Sequence, residues 1–157
     1  MTEQALALAA RIRDEWDELE RVLLRVEEGW RRAQREADDY YLDGVALNLH
    51  SLYGGLERLW ELIATRVDAH LPQGEHWHQT LLAQMADEVP AVRPAVISEA
   101  TQARLDDYRG FRHVVRNVYT FQFDPNRVGR LAVNARPVFE GARSELLAFA
   151  EFLEQQG

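Results

Sequence analysis

Residues 11–30 read RIRDEWDELERVLLRVEEGW, and their spacing decides the fold class. Ile12, Trp16, Leu19, Leu23, Val26 and Trp30 follow one another in steps of four and three. At about 100° per residue these six form one apolar stripe, with the acids and arginines on the remaining faces. The stripe predicts a long first helix over about residues 3–36.

The same rhythm recurs along the chain. After the acidic stretch DDYYLDG at 38–44 comes a second helix, in which Val45, Leu49, Leu52, Leu56, Leu59, Ile63 and Val67 repeat it until Leu71-Pro72-Gln73-Gly74. A short helix is expected around His76–Ala86, followed by the connection Val89-Pro90-Ala91-Val92-Arg93-Pro94. Ser98 is suited to cap a fourth helix running to about Thr120. Asp124-Pro125, a cap residue and a proline at the first helical position, opens a last helix over about residues 125–155, which Pro137 should kink. No segment alternates with period two for long enough to form a strand. The expected fold is all-α, one domain over residues 1–157 built as a bundle of four long helices plus a short helix.

The chain has 157 residues, 46% of them hydrophobic and 28% charged, so it can bury a core. It has no cysteine, which excludes disulfides, thiolate metal sites and a cysteine nucleophile. No run approaches the roughly 20 apolar residues of a membrane span. The start MTEQALALAARIRDEW has no basic segment ahead of its apolar part, so a cytoplasmic protein away from membranes is expected.

The net charge of −8 argues against a surface that grips nucleic acid everywhere, but the charge is unevenly placed. Residues 104–136 carry 7 arginines against 3 acids, whereas residues 1–103 carry 10 against 19. Every cation is arginine, a planar fork suited to phosphate and carboxylate.

Three places can carry chemistry. His76 and His78 lie two apart, which on a helix turns them about 200° from each other. They share a metal only if this stretch is extended and His70 or Glu75 joins them; otherwise their role is structural, with Trp77 plugging the core. Gly54-Gly55 interrupts the second helix at a cost of about 1 kcal/mol each, which points to a close helix approach or a ligand-facing notch beside Asn48 and Tyr53. On the fourth helix Arg109, Arg112, Arg116 and Tyr119 form a ridge beside the apolar face of Tyr108, Phe111 and Val115. Asp106, Asp107 or acids of the first helix are available to pair with these arginines.

The stretch FRHVVRNVY at 111–119, followed by Asp124, resembles the signature region of HepT-like proteins of the HEPN superfamily. The resemblance extends to LHSLYGGLERLWELIA at 49–64 and GEHWHQTLL at 74–82, and covers most of residues 40–135. It implies a helical bundle that forms a homodimer, with the signature helices lining a shared cleft. It also implies a metal-independent ribonuclease of a toxin–antitoxin pair, needing no cofactor and neutralised by a minimal nucleotidyltransferase. Arg112 matches the family's arginine and Tyr119 its tyrosine, the residue that can receive AMP from the partner. Asn117 stands where the family has histidine, and asparagine moves no protons. His113, four residues earlier, shares its face and can take over proton transfer, with Asn117 orienting and Arg109 and Arg116 holding RNA. The departure leaves a second reading open, a non-catalytic module binding RNA, a nucleotide or a partner protein.

Overall fold

The computed structural model describes residues 2–119 and 122–156. Five helices follow in order: α1 (Thr2–Glu36), α2 (Tyr40–Arg66), α3 (Trp77–Met85), α4 (Glu99–Asn117) and α5 (Pro125–Glu154). The all-α bundle of four long helices and one short one is therefore the observed architecture, and no strand occurs among the described residues.

The stripe on α1 does what its spacing requires. Ile12, Trp16, Leu19, Leu23 and Val26 are all buried, and α1 packs along both α2 and α5. On its other side α2 meets α3 and α4, and α4 closes the bundle against α5. Tyr108 and Phe139 meet edge to face between α4 and α5, with ring centroids 5.1 Å apart, and the Tyr108 hydroxyl donates to the Leu131 carbonyl at 2.8 Å. Burial raises the Tyr108 hydroxyl above its ordinary pKa.

Two glycines set the helix spacing. A Cβ on Gly55 would stand 2.5 Å from Leu19 Cδ2, and one on Gly129 would stand 2.6 Å from Trp30 Cη2. At both places backbone seats a large side chain of α1, which accounts for Gly55 as a close-approach residue. Gly54 is different, since a Cβ there meets only Arg58 Nη1 at 3.9 Å.

Charge fastens the outer contacts. Arg136 of α5 reaches Glu20 and Glu27 of α1, each at 2.7 Å, and Glu140 at 3.0 Å. Glu20 and Glu27 of the first helix thus serve α5, and Glu15 faces Arg58 of α2, rather than the arginine ridge of α4. Arg93, fully buried, holds the connection from α2 to α4 by gripping both oxygens of Asp68 at 2.6 and 2.8 Å and donating to the carbonyls of Gln84, Asp87 and Pro94.

The caps read from sequence are formed. Ser98 Oγ accepts from Thr101 N at 3.1 Å, and Asp124 Oδ1 accepts from Asn126 N at 3.0 Å. Helix α5 continues through Pro137. Two boundaries differ from expectation. Helix α2 begins at Tyr40, inside the acidic stretch, where Asp38 Oδ1 accepts from Tyr40 N at 3.0 Å and negative charge suits a helix start. Helix α4 ends at Asn117; Val118 is already extended, and Thr120 lies outside the described residues.

Candidate functional site

The centre of the arginine-rich segment is Arg112, which emerges from α4 directly after the buried Phe111. Its charge meets a carboxylate from α2. Glu57, only 3% exposed, places Oε1 3.0 Å from Arg112 Nη1 and Oε2 2.7 Å from His78 Nδ1 on α3. One side chain therefore joins three helices. Both its oxygens are engaged, which makes a carboxylate tolerable at this depth.

The geometry sets the state of His78. An ionised carboxylate only accepts, so His78 Nδ1 donates, and in the neutral ring Nε2 keeps its lone pair. Trp77 lies against the same ring at a centroid distance of 3.6 Å, and Arg112 Nη1 lies 3.2 Å from Nδ1 and 3.5 Å from Nε2. His78 is thus oriented from three sides.

Beside Arg112 a cleft of about 480 Å³ opens between α3 and α4, lined by His76, His78, Arg109, His113, Arg116 and Asn117 together with Glu75. Arg109 pairs with the exposed Asp106 at 2.7 Å, as the sequence allowed, and Arg116 has no carboxylate partner among the described residues. Asn117 Nδ2 lies 2.7 Å from the His113 carbonyl and 3.2 Å from His113 Nδ1. An amide nitrogen only donates, so His113 Nδ1 accepts and its ring proton sits on Nε2. Asn117 therefore orients His113, and a neutral His113 arranged this way donates to an anion more readily than it removes a proton.

The structure brings Arg109, Arg112, His113, Arg116 and Asn117 to one cleft but separates Tyr119 from them. The expected ridge required α4 to continue one more turn. Because the helix ends at Asn117, Tyr119 lies on the departing chain, 73% exposed and outside the cleft lining. His76 and His78 both reach the cleft, His76 from the residue that precedes α3. No group of three or more His, Asp or Glu among the described residues is placed to hold a metal ion. Asn48 bonds to the Gly44 carbonyl at 2.8 Å, and Tyr53 is fully buried, so neither belongs to this cleft.

Two residues of the site were not read from sequence. Glu57 follows Tyr53 by four and precedes Trp60 by three, so it stands in an apolar row of α2, where a carboxylate signals a buried partner. His50, two turns earlier on α2, lies beside Arg112. Burial first, then the positive charges of Arg112 and Arg116, hold its ring below the ordinary imidazole pKa. Burial and the neighbouring Glu57 likewise raise the Glu61 carboxyl above the usual range.

In comparison with known proteins, a family model described as HepT-like protein fits residues 44–153. No curated protein and no solved structure matches.

Proposed function

The chain belongs to the HepT-like family, and from that premise we propose that it acts on RNA as a metal-independent ribonuclease of a toxin–antitoxin pair. The observation that carries this reading is the convergence of three arginines and three imidazoles on one cleft. Arginine forks bind phosphate oxygens and stabilise the charge that develops on them. The imidazoles offer proton transfer, which Asn117 cannot.

Arg109 and Arg116 hold flanking phosphates, while Arg112, fixed by Glu57, meets the scissile one. His78 is the base: Glu57 fixes its donor side, so Nε2 can take the proton of the 2′-hydroxyl. The 2′ oxygen then bonds phosphorus, the bond to the 5′ oxygen breaks, and that oxygen takes a proton from water. His113, oriented by Asn117, hydrogen-bonds a phosphate oxygen through its Nε2–H and keeps that proton, and His78 returns the proton it took to the hydroxide that the water leaves. A second copy of the chain completes the cleft in a homodimer, and a minimal nucleotidyltransferase acts as the antitoxin.

The test uses residues whose loss leaves the buried pair intact. Arg109→Ala/Arg116→Ala should weaken binding of single-stranded RNA and lower the salt slope by about 0.7 per lost contact. His78→Ala should slow cleavage by about 10²–10⁴-fold with RNA affinity retained. RNA binding without cleavage in the wild type assigns the chain to the non-catalytic reading. A monomer by light scattering at micromolar concentration overturns the shared cleft.

A further inference from the structure

Arg112 stands between two depressions, and only one of them has a role so far. The second, of about 480 Å³, lies between α2 and the start of α3 and is lined by His50, Ser51, Gly54, Glu61 and Trp77, with Glu57 and Arg58 at its sides. Its charges balance. Arg58 and Arg112 stand against Glu57 and Glu61, and Arg58 already points to Glu15 at 3.5 Å. In the first cleft Arg109 is paired with Asp106 and Arg112 with Glu57. Arg116 has no carboxylate partner among the described residues, and Glu75 is the only acid in the lining. A phosphate belongs in the first and gains little in the second.

The second depression is rich in unmet hydrogen bonding. Arg112 Nε and His50 Nε2 are covered from water and have no hydrogen-bond partner among the described residues. Buried polar groups are rarely left so without a reason. His50 offers a ring nitrogen, Ser51 a hydroxyl and Glu61 an acceptor. Trp77 supplies an aromatic wall. Gly54 leaves room where any other residue would project, and no helix packs against it to explain its presence.

We propose that this depression is a nucleobase subsite, taking a base whose edge carries a carbonyl oxygen beside a ring N–H. The carbonyl accepts from the Arg112 guanidinium, the ring N–H donates to Glu61, and the ring lies against Trp77. Guanine and uracil present such an edge, whereas adenine lacks the carbonyl and cytosine lacks the ring N–H. The inference rests on the RNA-directed reading and adds base selection to it, with Arg112 touching phosphate on one side and base on the other.

Nucleosides test it directly, because they carry no phosphate and none is cleaved. Guanosine, uridine, adenosine and cytidine are titrated separately into the full chain and followed by NMR shifts at Ser51, Gly54 and the Trp77 indole. Guanosine and uridine should bind about ten-fold more tightly than the other two. Gly54→Leu, whose side chain enters the open space, should abolish that binding while its thermal melt stays cooperative. Glu61→Leu should remove the discrimination and serves as the second variant. Equal binding of all four nucleosides, no binding by any, or guanosine binding that survives Gly54→Leu overturns the subsite. Failure of the RNA-directed reading shows separately, as absence of both RNA binding and cleavage in the wild type.

Discussion

Glu57 lies 3.0 Å from Arg112 across the contact between α2 and α4, with its carboxylate almost wholly removed from water. The central arginine of the cleft is thereby fixed in direction. The pair is also a structural commitment, because either charge left alone at this depth is costly.

Glu57→Leu should therefore lower stability by about 2–4 kcal/mol, since it strands Arg112 and frees His78. The double variant Glu57→Leu/Arg112→Leu should be less destabilised than the sum of its single variants. Urea unfolding of the four proteins measures the coupling, and strict additivity would deny that the two residues act as a pair.

The neighbouring glycines should behave oppositely. Gly55→Ala forces a methyl against Leu19 and should cost about 1–3 kcal/mol. Gly54→Ala meets no obstacle and should stabilise α2 by about 0.5–1 kcal/mol. Thermal melts of the two variants decide the matter, and a shift of the same sign in both would contradict the packing.

Hydrogen bonding to Arg136 holds Glu27 below its ordinary carboxylate pKa of 4.5. A depressed folded-state value adds stability above the unfolded value, which is lost as pH falls through the folded one. The stability difference between wild type and Glu27→Gln should be full near neutral pH and shrink between about pH 5 and pH 3. A difference that grows on acidification would reverse the sign of this linkage.

Tyr119, exposed on the chain beyond α4, is open to an approaching enzyme. Incubation with ATP and a cognate nucleotidyltransferase should add AMP-sized mass that is absent in Tyr119→Phe. Its phosphate would add negative charge to the chain just beyond the arginine-bearing helix and should weaken RNA binding. Additions that persist in Tyr119→Phe would assign the modification elsewhere, as at Tyr108.

The helices and their caps were legible because their causes are local: stripe spacing along α1 and α2, and a side-chain oxygen at Ser98 and Asp124. The end of α4 was not. Val115, Val118 and Tyr119 prolong the helical pattern, yet the chain must turn back to start α5 at Pro125. Phe123 packs toward Phe111 with ring centroids 6.0 Å apart, a contact that draws the connection inward and that no local pattern announces. The arginines of the cleft could be read because they share one helix. The Glu57–His78–Arg112 cluster draws on three helices, with 21 residues separating Glu57 from His78 and 34 separating His78 from Arg112. Helical periodicity carries no information across such gaps.

Helix α3 has nine residues, too few to persist in water without its neighbours. It is held by the burial of Leu81, Leu82 and Met85 and by His78 at the Glu57 carboxylate. The His78 imidazole of the cleft therefore rides on a segment held in part by that carboxylate. Local opening of α3 would disassemble the site while leaving the four long helices in place. Amide protons of Leu81 and Leu82 should then exchange with solvent sooner than those of Leu52 and Leu56, and an occupied cleft should slow them, making ligand binding and the order of this one turn-rich segment a single equilibrium.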